Sequence, residues 1–218
     1  DGTNGAKPPG EECLTEREGG NCPSRTAVDL RGAVYVANRA FFAQGTVTKI
    51  AGFEEDCVDR NGNGRIDTSK DMNANGVIER DVDGEYLGQD DECILWTVDV
   101  GDTDAVPRAV AIAADGSVWI GLNKAMRVVK LSPDDGEVLD SINLSFTRRF
   151  RPYGGAVDSM GRLWLTEAGT GRILGIDTES SSVIRERTAS SRGEGCSGSY
   201  GIAVDAEDRV WIAGFQCE

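Results

Sequence analysis

The chain has 218 residues, 39% of them apolar, with 28 glycines and a formal net charge of −14; it is long enough to bury one sizeable core or two small ones. The acidity, with no basic patch interleaved with aromatics, excludes nucleic acid as a partner. The absence of histidine excludes Ser-His and Cys-His nucleophiles, and no apolar run reaches the roughly 18 residues of a membrane span.

Residues 1–25 carry glycine, proline and charge without an apolar period, which predicts an extended N-terminal arm rather than a domain. From residue 26 to 218 the chain is read as an array of repeats. "TAVDLRGAVYVANR" (26–39) is a short apolar strand, a polar turn and a second strand, and "GTVTKI" (45–50) supplies a third. The fourth, "CILWTVDV" (93–100), follows only after an interruption. Residues 53–92 are therefore predicted to be an insert in the turn between the third and fourth strands of the first repeat.

The stretch from Glu54 to Glu92 holds thirteen acids and four bases, a net −9, and such a segment either stays disordered or binds cations. Within it, "DRNGNGRIDTSKDMNANGVIE" (59–79) sets Asp, Asn, Asn, Gly and an acid at the same offsets twice, twelve residues apart. The pattern D-x-[DN]-x-[DN]-G presents side-chain oxygens from alternate residues, and its glycine makes the sharp turn around a Ca2+. The first loop offers Asp59, Asn61, Asn63, the carbonyl of Arg65 and Asp67; the second offers Asp71, Asn73, Asn75, the carbonyl of Val77 and Glu79. Position 12, where an EF-hand has its bidentate Glu, is Lys70 or Val82, and each loop ends one residue later on an acid, Asp71 and Asp83. The loops resemble those of integrin-type propellers, D-x-D-x-D-G-x-x-D, and tandem thrombospondin type 3 repeats; Asp71 would close the first site while opening the second. Two Ca2+ in a structural role are expected, and Asn at four ligand positions implies a modest affinity, about 10⁻⁴–10⁻³ M.

Further along, "AVAIAADGSVWIGL" (109–122), "GGAVDSMGRLWLTE" (154–167) and "YGIAVDAEDRVWIAG" (200–214) repeat the first hairpin. The first two are followed by second hairpins, at 126–144 and 171–186. Tyr35, Trp119, Trp164 and Trp211 occupy equivalent places and are read as core. Six residues before them stand Asp29, Ala113, Asp158 and Asp205, so the second repeat lacks the acid; three residues before stand Gly32, Gly116, Gly161 and Asp208, types that tolerate a positive φ. The aromatics are 45 and 47 residues apart across the last three repeats but 84 across the first, which is where the insert lies. The predicted fold is all-β: a β-propeller of four-stranded antiparallel blades, about three and a half of them visible, carrying a calcium-binding loop insertion.

The "YGIAVDAEDRVWIAG" and "RPYGGAVDSMGRLWLTEAGTGRI" segments resemble NHL and streptogramin-lyase-like β-propellers, whose blades repeat G-[IV]-A-V-D…G-[RN]-[VL]-W-[VL]. The likeness covers about 26–50 and 93–214. The lyases use a catalytic histidine, which this chain lacks, so that activity does not carry over. The fourth repeat stops after its second strand, which leaves either a fragment of a longer propeller or a copy-to-copy contact that completes the pairing.

Six widely spaced cysteines, none in a C-x-x-C pair, predict disulfides and an oxidising compartment, hence a secreted or cell-surface protein. Cys57 and Cys93 bracket the insert. Cys196 and Cys217 face each other if opposed residues of the last hairpin sum to 413, and Cys13 and Cys22 remain to close a small loop. The expected function is a non-catalytic, calcium-stabilised propeller acting in binding or assembly, with copies of itself, another extracellular protein or a glycan as partner. The alternative is a fragment of a calcium-dependent lactonase- or lyase-like enzyme, for which Glu167, Asn123 and Asp205 are the loose analogues of a central metal site. "RRFRPY" (148–153) is a small basic loop, and Asn143 heads a glycosylation sequon on a predicted strand.

Overall fold

The structure is a computed structural model, which describes residues 22–188 and 197–215. Valine- and isoleucine-rich runs give fourteen strands among these residues. The first sheet is β1 (Cys22–Val28), β2 (Val34–Arg39), β3 (Thr46–Ile50) and β4 (Ile94–Asp99). The second is β5 (Pro107–Ile112), β6 (Val118–Leu122), β7 (Arg127–Leu131) and β8 (Val138–Asn143), and the third is β9 (Pro152–Val157), β10 (Arg162–Glu167), β11 (Arg172–Asp177) and β12 (Ser182–Thr188). β13 (Ser197–Val204) and β14 (Val210–Phe215) form a two-stranded sheet. Every sheet is antiparallel with its strands in chain order. β1 starts four residues before the repeat alignment does, inside the expected arm.

The repeats pack as blades. β5 packs against β1 and β9, and β9 against β13, so the first strand of every sheet is innermost. The fourth strands β8 and β12 are almost wholly exposed. One apolar core lies between the first and second blades, around Tyr35, Val47, Ile120 and Leu131, and a second lies between the second and third, around Trp119, Phe150, Leu163 and Leu174.

The hairpin signature is a hydrogen-bonded unit. Asp158 accepts the backbone N–H groups of Met160 and Arg162, the Arg162 guanidinium and the Trp164 indole N–H. Asp205 does the same for Glu207, Arg209 and Trp211, and Asp29 takes Arg31, Ala33 and the Tyr35 hydroxyl. Gly32, Gly116, Gly161 and Asp208 all have positive φ, 88, 84, 73 and 59°. In the second repeat Ala113 replaces the acid, and the buried Trp119 indole nitrogen is left without a partner.

Two expectations need correction. Tyr35, Trp119 and Trp164 are buried, but Trp211 is 59% exposed, because among the described residues no further sheet flanks β13 and β14. Beside its turn, this hairpin pairs residues summing to 414 (Val204 with Val210) and then slips through two bulges, because its turn is one residue longer than the expected 205–208. Cys13, Cys196 and Cys217 lie outside the described residues. Cys22 is disulfide-bonded.

Candidate metal loops and the inner face

The insert occupies the β3–β4 turn and is tied at its neck by the Cys57–Cys93 disulfide. A three-residue 3-10 turn stands near each end, at 54–56 and 88–90. The rest forms no strand and is held mainly by side-chain hydrogen bonds, with a few between backbone groups.

The two loops are built alike. In the first, Asp59 accepts the N–H groups of Gly62, Asn63 and Gly64. The amides of Asn61 and Asn63 both donate to one oxygen of Asp67, at 2.8 and 2.6 Å. In the second, Asp71 accepts Asn75 and Gly76, and the amides of Asn73 and Asn75 meet one oxygen of Glu79 at 2.9 and 2.8 Å. Loop positions three, five and nine thus converge on one point in each copy. Gly62, Gly64 and Gly76 have positive φ, as wrapping the backbone around that point demands. Arg65 lies exposed at the rim of the first loop and pairs with Asp67.

Two residues that sequence reasoning did not single out hold the loops in place. Glu92 is buried and accepts the N–H groups of Arg60, Asn61 and Asp67. Glu85, also buried, accepts those of Met72, Asn73 and Glu79, the same three offsets from the first Asp. Backbone bonds from Val58 to Glu92 and from Lys70 to Glu85 repeat the relation. A buried carboxylate is tolerable only when so satisfied. Asp83 is exposed, and Glu85, two residues later, is the acid that the second loop buries. The hydrogen bonds of Asp71 come from the second loop, and those of Asp67 and Glu92 from the first. Donation from Asn61 and Asn63 holds the Asp67 carboxyl below its usual range, and the Gly76 N–H does the same for Asp71.

Among the described residues no three His, Cys, Asp or Glu side chains gather as a metal cluster; each loop brings together two amides and a carboxylate. With the amides turned to present their oxygens, that donor set, all oxygen and partly neutral, suits Ca2+ better than a transition metal.

Of the three residues named for a catalytic reading, Asn123 and Glu167 come together and Asp205 stands apart. Asn123 donates to the Pro152 carbonyl, and Glu167 accepts the Arg151 N–H and pairs with Arg172, all at the start of β9. Asp205 caps the far end of β13, where it holds Arg209 and Trp211. Of the basic loop 148–153, Phe150 is fully buried and Arg172 stacks on it.

No family model matches the chain, and no curated protein matches it. Solved structures do. Virginiamycin B lyase from Staphylococcus aureus superposes with a TM-score of 0.54 at 18% identity, over 88% of this chain and 48% of that one. A gluconolactonase from Xanthomonas campestris gives 0.53 at 14%, over 90% and 55%. A calcium-binding regucalcin from Agrobacterium tumefaciens gives 0.51 at 13%, over 87% and 52%. The chain thus spans about half the length of these proteins, and what it shares with them is the fold: it is built as a β-propeller.

Proposed function

We propose that the chain is a calcium-stabilised β-propeller of the extracellular space that works by binding rather than by catalysis. The observation that carries this is the duplicated loop, with the same convergence of positions three, five and nine and the same buried glutamate beneath each copy. A net −9 on this stretch repels itself, and two Ca2+ would lower it to −5. The ions would be held by Asp59, Asn61, Asn63, the Arg65 carbonyl and Asp67, and by Asp71, Asn73, Asn75, the Val77 carbonyl and Glu79. They would order the insert and do no chemistry. The Cys57–Cys93 bond supports an oxidising compartment. The partner is another copy of the chain, another extracellular protein or a glycan.

Calorimetric titration with Ca2+ tests the reading. Two sites in the 10⁻⁴–10⁻³ M range are expected, with Asp59→Ala removing one and Asp71→Ala the other. Unchanged heats in both variants would sink it. A calcium-dependent enzyme remains the second reading because a lyase and a gluconolactonase share the fold. Native mass measurement on protein from its source separates the two, since a longer chain with more blades favours the enzyme.

A further inference from the structure

Each innermost strand carries a β-bulge at the same repeat position, five residues before Asp29, Ala113, Asp158 and Asp205. The register slips between Pro23 and Arg25, between Pro107 and Ala109, between Pro152 and Gly154, and between Ser199 and Gly201. In three of the four a proline precedes the extra residue, and proline, with no N–H to give the ladder, sits readily at a bulge. A bulge re-aims the side chain it carries. Those side chains are Ser24, Arg108, Tyr153 and Tyr200, and they meet. Arg108 donates to the Ser24 hydroxyl at 3.2 Å and to the Tyr153 hydroxyl at 3.3 Å, and the Tyr153 and Tyr200 rings lie 4.9 Å apart.

Two further guanidiniums join them. Arg25 stands 5.0 and 4.9 Å from the ring centres of Tyr153 and Tyr200. Arg39, at the end of β2, shares the Phe41 ring with Arg108. Among the described residues none of the three arginines forms an ion pair, and buried nitrogens of Arg25 (Nε and Nη2) and of Arg39 (Nε) have no hydrogen-bond partner. Asp104, whose partner Lys124 also lies over Phe41, is taken up by that lysine. Burial, together with the like charges of Arg39 and Arg25, pulls the Arg108 guanidinium below its usual range. Buried donors without acceptors are costly, and like charges without a counter-charge add to the cost.

We propose that the inner face of the blades is an oxyanion site: Arg25, Arg39 and Arg108, with the hydroxyls of Ser24, Tyr153 and Tyr200, receive the carboxylate, phosphate or sulfate group of a small acidic ligand. Guanidinium forks match such groups bidentately. The rest of the chain is strongly acidic, so a small anion that enters the bulge-lined centre is favoured over a polyanion lying across the surface. The site does not depend on calcium in the insert.

The test is calorimetry with sulfate and with succinate at fixed ionic strength and saturating calcium, on wild type, Arg25→Gln, Arg108→Gln and Tyr153→Phe. Arg185→Gln, on the exposed outer strand β12, is the control. At least one anion binds, the arginine variants weaken it tenfold or more, Tyr153→Phe weakens it severalfold, and Arg185→Gln leaves it unchanged. If an arginine variant fails to fold, Tyr153→Phe carries the comparison. Succinate alone assigns the site to carboxylates, sulfate alone to sulfate or phosphate esters. Binding of neither, or binding that Arg25→Gln, Arg108→Gln and Tyr153→Phe all leave unchanged, overturns the proposal.

Discussion

Asp158→Ala isolates the acid-centred hairpin unit that three of the four repeats share. The carboxylate is fully buried and accepts Met160 N–H at 3.1 Å, Arg162 N–H at 2.9 Å, Arg162 Nε at 2.6 Å and Trp164 Nε1 at 2.8 Å. Hydrogen bonds to a charged acceptor contribute about 1.5–3 kcal/mol each, and an orphaned buried donor costs about 1–3 kcal/mol. The four share one acceptor and do not add, and Arg162 can turn to water. The Trp164 indole cannot, so a loss of about 3–4 kcal/mol is expected. The variant still folds, because the second blade already lives with Ala113 and an unpartnered Trp119 indole. Urea unfolding at fixed calcium measures the loss as a shift in midpoint at constant slope. Burial raises the Asp158 pKa, but donation from Trp164 and Arg162 outweighs it and holds the carboxyl below its usual range. A group depressed in the folded state stabilises above its unfolded value, about 4, and loses that contribution as pH falls through the folded one. Asp158→Asn therefore flattens the acid limb of the stability curve below about pH 4 and leaves neutral-pH slopes unchanged. A loss under about 1 kcal/mol in Asp158→Ala would refute the idea that the acid, rather than packing of the tryptophan, fixes the hairpin.

The converse substitution, Ala113→Asp, gives the Trp119 indole its missing acceptor and should stabilise by about 1 kcal/mol in the same assay; destabilisation would mean that burying the charge without an arginine at position 117 outweighs the bond. Glu85→Gln, which replaces a buried carboxylate on three N–H groups, should weaken the second calcium step at least tenfold in calorimetry and leave the first unchanged. Glu92→Gln should do the reverse. Replacing Cys57 and Cys93 together by serine frees a loop of 36 residues and should cost about 3–4 kcal/mol on the chain-entropy account, read by urea unfolding at saturating calcium.

What the sequence disclosed was whatever recurs at a fixed short offset. Asp29, Asp158 and Asp205 act on residues two, four and six positions ahead, so one aligned turn exposes the unit in all its copies, and Ala113 shows as the exception. The Cys57–Cys93 bond was legible for a related reason: it ties the neck of an insert, and the neck is marked by the strands on either side. Glu85 and Glu92 escaped because they stand 14 and 33 residues after the first Asp of their loops, offsets with no common value. Their equivalence exists only once the insert is folded. The bulges escaped because Ser24, Arg108 and the pair Tyr153 and Tyr200 share a position but not one chemistry, and a repeat alignment discards such columns as variable.

The blades keep two kinds of information at opposite ends. The columns that recur, acid, glycine and aromatic, lie at the turn end of each first hairpin and make the blade. The variable column lies at the opposite end, beside Cys22 and Arg39, which β1 pairs with each other, and there four blades bring different side chains to one place. The insert emerges from the turn end, where Phe53 packs on Gly32, and it hangs from β3 and β4, the strands farthest from the axis. Its acids and the inner arginines are therefore separated both along the blade and across it. A charge distribution in which −9 of a net −14 sits on the outer insert while uncompensated guanidiniums face inward follows from this topology. Either end can change without disturbing the other, since the only structure they share is the blade itself.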